Sequence, residues 1–178
     1  MALLETERLI LRPMVLEDVD DLAALYADPE VMRFFEGTRS WELARQELEE
    51  IIGQYARTEV DFLATIYKQN GQFIGRCGLL WQVFDGVQEV EVAYMIARPY
   101  WGQGLATEAA RALKEHGFRD FGFRRLISII DPNNRASIRV AEKNGMHYER
   151  RVDFEGYDCS LYTVSKDENH RLQSGLSV

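Results

Sequence analysis

Residues 89–113 read EVEVAYMIARPYWGQGLATEAARAL, a strand pattern that passes through Gly102-Gln103-Gly104 straight into a helix pattern. Up to Ile96 the period is two, with Glu89, Glu91, Ala93 and Met95 on one face and Val90, Val92, Tyr94 and Ile96 on the other. From Leu105 the spacing becomes helical, with Leu105, Ala109, Ala112 and Leu113 as the apolar stripe. A chain with this segment must join a strand to a helix across a tight turn, and that helix must pack on a sheet. Two glycines let the backbone turn sharply and let a ligand approach the main chain. The first amides of a helix have no intrahelical acceptor, and the helix dipole adds positive potential there. Such a mouth binds phosphate without needing a lysine. A tight turn with no ligand is the plainer alternative. The flanking strand and helix, and the small Ala106, favour the anion.

A Walker A loop would need Gly-Lys-Ser/Thr, which the chain lacks. A dinucleotide-binding turn would need Gly or Ala where Thr107 stands, and it usually opens a domain, whereas this turn follows four expected strands.

The rest of the chain reads as a mixed α/β sheet. Arg8–Met14 is a strand stopped at Pro13, and Leu16–Ala27 is a helix ended by Asp28-Pro29. Ser40 caps a second helix with Trp41, Ala44, Leu48, Ile51, Ile52 and Tyr55 on one face. Strands 62–68 and 72–81 meet at Asn70-Gly71, and strand 87–97 follows the Asp85-Gly86 turn. Strand 124–130 leads through Asp131-Pro132-Asn133-Asn134 into a short helix that ends at Asn144-Gly145. Strands 147–154 and 157–164 meet at Glu155-Gly156. The 178 residues suit one domain, expected over 1–166, with a polar tail over 167–178 that frays. The two cysteines, Cys77 and Cys159, suggest neither a disulfide framework nor a metal site. With no apolar run long enough to span a bilayer and no signal-peptide pattern in Met1–Glu7, the expected location is the cytoplasm, with no membrane partner.

Net charge is -8, which disfavours nonspecific nucleic-acid binding. Residues 98–151 nevertheless carry +5 against -13 for the remainder. This is either a solvated helical surface or a basic half that receives an anion beside an acidic half that receives a cation.

TERLILRP, DVDDLAALYADPEVMRFF, IGRCGL, YWGQGLATEA and DPNNRASIRVAEKNGM occur in that order over nearly the whole chain. Together they resemble the GNAT superfamily of N-acetyltransferases, in particular the branch of Rim-type ribosomal-protein N-acetyltransferases. The resemblance implies a central, mostly antiparallel sheet splayed between strands 87–97 and 124–130 and flanked by about four helices. It implies acetyl-CoA as donor, an amine as acceptor and no metal. Coenzyme A would be held by Met95, Ile96, Ala97, Trp101, Gly102, Gln103, Gly104, Leu105, Ala106, Thr107, Asn134 and Ser137. The family's pyrophosphate signature usually begins with Gln or Arg three residues before the first glycine, where this chain has Pro99.

Amide formation from a thioester needs a neutral amine, a stabilised oxyanion and a stabilised thiolate. Glu91, a carboxylate inside an apolar strand, is the candidate base, with Glu89 in reserve. A surface-facing acidic strand edge is the competing account of both. The resemblance makes Glu91 act through water, makes Asn134 a partner of the pantetheine arm and makes Ser137 the acid that donates to the departing sulfur. Ala141 stands where many GNAT enzymes have a tyrosine acid, which favours Ser137. Asn134 is equally suited to cap the helix it opens. A silent acyl-CoA-binding module and a nucleotide-binding domain are the alternatives to an enzyme. The acceptor's identity is open, and so is a homodimer.

Overall fold

The computed structural model describes residues 3–84 and 86–174. Asp85 of the expected Asp85-Gly86 turn lies outside the described residues. Eight strands form one sheet: β1 (Leu4–Glu5), β2 (Leu9–Pro13), β3 (Phe62–Tyr67), β4 (Gln72–Phe84), β5 (Val87–Ile96), β6 (Arg125–Ile130), β7 (His147–Phe154) and β8 (Tyr157–Ser165). The helices are α1 (Val19–Ala27), α2 (Trp41–Thr58), α3 (Leu105–Arg119), α4 (Arg135–Lys143) and α5 (Lys166–Ser174). The strand order is β1-β2-β3-β4-β5-β6-β8-β7. Every pairing is antiparallel except β5 with β6, the two strands joined by the α3 crossover.

The two faces of β5 sort as its period demands. Val90, Val92 and Ile96 pack with Leu105, Ala109 and Leu113 of α3 and with Ile138 and Ala141 of α4. Met95, on the other face, packs with Leu22, Leu25 and Tyr26 of α1 and with Ala44, Leu48 and Ile51 of α2. Ser40 does cap α2, accepting from the Leu43 amide at 3.3 Å. Trp41 is a correction: it is 41% exposed and its indole reaches Asp20 at 2.8 Å, so the buried stripe of α2 starts at Ala44.

The stretch expected to fray is also corrected. Residues 166–174 form α5, the fifth α-helix among the described residues. Ser165 and Glu168 cap it reciprocally, and Asn169 is buried against Glu115 of α3. Apart from Leu172 the segment is polar, and the contacts of Ser165, Glu168 and Asn169 tie it to the rest of the fold.

Candidate active site

β5 and β6 register at one position only, Glu91 with Ile127. One residue further on, the Ser128 hydroxyl donates to the Val92 carbonyl at 2.8 Å, replacing a main-chain bond. Beyond that point β5 continues against β4 to Ile96–Gly75, while β6 continues against β8 to Ile130–Ser160. The sheet is split there. Alternation along β5 turns the main-chain groups of Met95 and Ala97 towards β4, and the Ala97 amide donates to the Ile74 carbonyl at 2.7 Å. Those of Tyr94 and Ile96 turn into the split. There the Ile96 carbonyl accepts from the Trp101 indole at 2.6 Å, and the Ile96 amide points into the split beside it.

A cleft of about 500 Å³ opens at this split. Met95, Ile96, Trp101, Gly102, Gly104, Leu105, Ala106, Thr107, Asn134 and Ser137 all line it, as do Tyr94 and, from the segment after α1, Phe34 and Phe35. Ala97 and Gln103 are not lining residues. Gln103 folds back to the Pro99 carbonyl at 3.2 Å. Gly102 and Gly104 hold φ of 74° and 78°, which is why the turn uses glycine. Gly104 is the N-cap of α3 and brings no side chain to the helix mouth. Within the described residues the amides of Gln103 to Thr107 meet no acceptor, and the first bonded amide is that of Glu108. The mouth is therefore a row of unsatisfied donors facing the cleft, and it fits a diphosphate.

Asn134 caps α4, its Oδ1 accepting from the Ser137 amide at 3.1 Å, and its Nδ2 keeps no protein partner within the described residues. Tyr94 is a wall residue: its hydroxyl donates to the Ser137 carbonyl at 2.9 Å and anchors the first turn of α4 across the split. Burial pushes the Tyr94 phenol well above its ordinary value. The Ser137 hydroxyl has no protein partner within the described residues.

The two acidic candidates separate clearly. Glu89 is tied to Arg125 at 3.1 Å. Glu91 is 8% exposed and has no cationic partner within the described residues. Its carboxylate accepts from the Gln82 amide at 2.8 Å and from the Ile129 main chain at 3.1 Å. Burial pushes it up to about 7 against those two bonds. Glu91 does not line the cleft; it lies four residues before Met95 on the same face of β5, at the point where the strands part.

Residues 8–147 match the acetyltransferase (GNAT) domain family. The chain belongs to the GNAT acetyltransferases. This GNAT chain is 37% identical over 156 residues to the uncharacterized protein YkkB of Bacillus subtilis, covering 84% of this chain and 87% of that one. It is 30% identical over 164 residues to the uncharacterized N-acetyltransferase p20 of Bacillus licheniformis, covering 89% and 88%. In fold it resembles a GNAT-family acetyltransferase from Bacillus anthracis, with a TM-score of 0.78, 24% identity and coverage of 92% and 98%. It also resembles the ribosomal L7/L12 α-N-protein acetyltransferase RimL in complex with coenzyme A, with a TM-score of 0.79, 18% identity and coverage of 94% and 99%.

One part of this GNAT site is invisible in the linear sequence. Glu108, in the first turn of α3, accepts from the Thr6 hydroxyl at 2.5 Å, from the Arg8 amide at 2.8 Å and from the Arg8 guanidinium at 2.7 Å. Arg8 also donates to the Gln103 carbonyl at 2.9 Å, so the segment between β1 and β2 clamps the glycine turn. Burial alone would raise the Glu108 carboxyl, but Thr6 and Arg8 together hold it below its ordinary value. Glu108→Gln removes the charge and leaves at least one of these donors poorly matched. The expected loss is about 2 kcal/mol, or roughly 4–8 °C in Tm, measured by thermal melting. An unchanged Tm would show that the clamp does not hold the turn.

Proposed function

We propose that the protein transfers an acetyl group from acetyl-CoA to a primary amine, on a peptide N-terminus or a small molecule, by direct attack in a ternary complex. The observation that carries this reading is the cleft's continuity: one cavity runs from the bare amides of α3 to the split between β5 and β6. The amides of Gln103 to Thr107 would hold the diphosphate. The Tyr94 carbonyl and the Asn134 Nδ2 would pair with the pantetheine arm, and the Ile96 amide would face the thioester oxygen, where negative charge develops. Glu91 would take the proton of the ammonium through a water that reaches the split. The amine nitrogen then bonds to the carbonyl carbon, the carbon–sulfur bond breaks with its electron pair going to sulfur, Ser137 donates a hydrogen bond to the departing thiolate, and the second proton lost from the nitrogen ends on that sulfur as the free thiol. A lysine amine or α-amine is largely protonated at neutral pH, so a base of raised affinity for protons is useful here. No observation favours the alternative of a silent acyl-CoA-binding module.

The test is release of free coenzyme A thiol from acetyl-CoA over a panel of peptides and small amines. Turnover with one acceptor class supports the reading; coenzyme A binding without turnover on any amine would sink it. On an accepted amine, Ser137→Ala is expected to lower kcat about tenfold, the loss of one hydrogen bond to a charged group, and to leave KM for acetyl-CoA nearly unchanged. An unchanged kcat would remove Ser137 from the reaction.

A further inference from the structure

A base in the position of Glu91 has to keep its carboxyl group in place both with and without the proton. The two groups that bond to it differ in this respect. The Ile129 amide is a fixed donor, so it cannot receive the proton of the acid form. The Gln82 side chain can do both. Its Nε2 donates to the Glu91 Oε2 at 2.8 Å, and its own Oε1 has no protein partner within the described residues. Turned over, the same amide accepts from a protonated Glu91.

The sheet register makes the pairing specific. Gln82 stands opposite Glu89, and Glu91 stands opposite Leu80. Gln82 and Glu91 are therefore diagonal neighbours on the Met95 face, within reach of a long side chain. Glu89 is the nearer carboxylate across the ladder, but it is tied to Arg125. Leu80 has nothing polar to offer. Gln82 is half-buried, which shields its bond from water. The titratable groups around Glu91 on the other elements supply no counter-charge. Glu155, in the turn between β7 and β8, is a like charge. Cys159 on β8 and Tyr94 on the other face of β5 are held above their ordinary values by burial, so both stay neutral while Glu91 titrates. Arg125 of β6 is engaged by Glu89 and Glu149. Among the described residues Gln82 is the one side chain that bonds to Glu91.

We propose that Gln82 is the positioning residue of the base: it donates to the ionised Glu91, accepts from the protonated form, and so sets the proton affinity with which Glu91 meets the amine. The proposal rests on the acetyl-transfer reading above and adds to it a residue that does not line the cleft.

Two variants of the full chain test it by pulling in opposite directions. Gln82→Met keeps the reach of the side chain and removes both donor and acceptor. Gln82→Lys keeps a donor and makes it a cation. One readout is the titration of the Glu91 carboxyl by carbon NMR, assigned against Glu91→Gln, which needs no acceptor. The other is kcat against pH on an accepted amine. A hydrogen bond to a charged group contributes more than one to a neutral group, so Gln82→Met is expected to raise the midpoint by about one pH unit. Its kcat should then be about tenfold below wild type near about pH 6 and within about twofold of it near about pH 9, where Glu91 is ionised in both. Gln82→Lys should move the midpoint below the wild-type value. A side chain that only fills the hairpin would lower kcat equally at every pH and leave the midpoint in place, and that result overturns the proposal. Shifts of the same sign in both variants also overturn it, because they report a disturbed strand and not an altered bond. A wild-type carboxyl that titrates while kcat shows no limb at that pH is a separate failure: it removes Glu91 as the base, is seen before Gln82 is changed, and takes the proposal with it.

Discussion

Glu91→Gln is expected to lower kcat about 100-fold at pH 8 while making the protein more stable at that pH. The activity loss follows from the proposed role of Glu91 as base, a buried carboxylate beside the split with no cationic partner among the described residues. The stability gain follows from linkage. Burial raises the folded-state value of Glu91 from 4.5 to about 7. Between those two pH values the folded protein keeps a proton that the unfolded chain has already lost. This contribution to stability is therefore complete below about 4.5 and is lost as pH rises through about 7, a difference of roughly 3 kcal/mol. Glutamine carries no such penalty.

The replacement also fits the site. The Ile129 amide can still donate to the new carbonyl, and the Gln82 amide can turn its oxygen to the new NH2, because an amide offers a donor or an acceptor from one position. Two measurements check the expectation: kcat against pH, and denaturant unfolding at pH 5 and pH 8. Wild-type kcat should rise with pH through an apparent value near 7, because the base acts when it is ionised. The variant should lose that limb. A merely structural glutamate would move stability and leave the pH profile of kcat in place. Activity within about twofold of wild type at pH 8 would exclude Glu91 as the base.

What could be read in advance was local. The alternation of β5 and the glycines before Leu105 placed a strand, a turn and a helix end to end, and α3 begins at Leu105 as expected. Ser40 and Asn134 cap helices because their side chains bond amides three residues away, a range that a linear reading covers. The position of β8 between β6 and β7 could not be read, since the hairpin signal at Glu155-Gly156 pairs β7 with β8 but does not say which of them meets β6. Nor could the clamp of Arg8 on Glu108, which are 100 residues apart. The +5 of residues 98–151 was visible as a sum, but ion pairs with near and distant carboxylates absorb much of it. What remains at the cleft is Arg135, Arg139 and Lys143 of α4, and only coordinates could tell them from their neutralised neighbours.

Gly75→Ala is expected to cost about 4 kcal/mol, or roughly 8–16 °C in Tm, and to abolish acetyl transfer at temperatures where the variant is still folded. IGRCGL, residues 74–79, looks like an ordinary strand interrupted by two flexible residues. In the sheet both glycines are places where another backbone comes too close for a side chain. A Cβ on Gly75 would stand 2.1 Å from the Met95 carbonyl oxygen and 2.9 Å from the Ile96 Cα, and its φ of 153° is one that other residues rarely adopt. A Cβ on Gly78 would stand 2.4 Å from the Asp61 carbonyl oxygen. Main chain cannot swing aside as a flexible side chain can, so the strand or its neighbour must move. At Gly75 the neighbour is the end of β5, whose Ile96 amide and Tyr94 carbonyl face the split. The β-bulge between Thr65 and Ile66, opposite Gly75, shows that β3 already deforms at this level of the sheet. Displacing Met95 and Ile96 by even about 1 Å would misplace the Ile96 amide that the proposed reaction sets against the thioester oxygen, enough for about a 100-fold loss. Gly78→Ala supplies the contrast, since it strains the contact with Asp61 and Phe62 on the side away from β5. It should lower Tm comparably and spare most of kcat in the folded fraction. Equal kcat losses in the two variants would mean that the close approach of β4 to β5 serves the sheet alone and not the site.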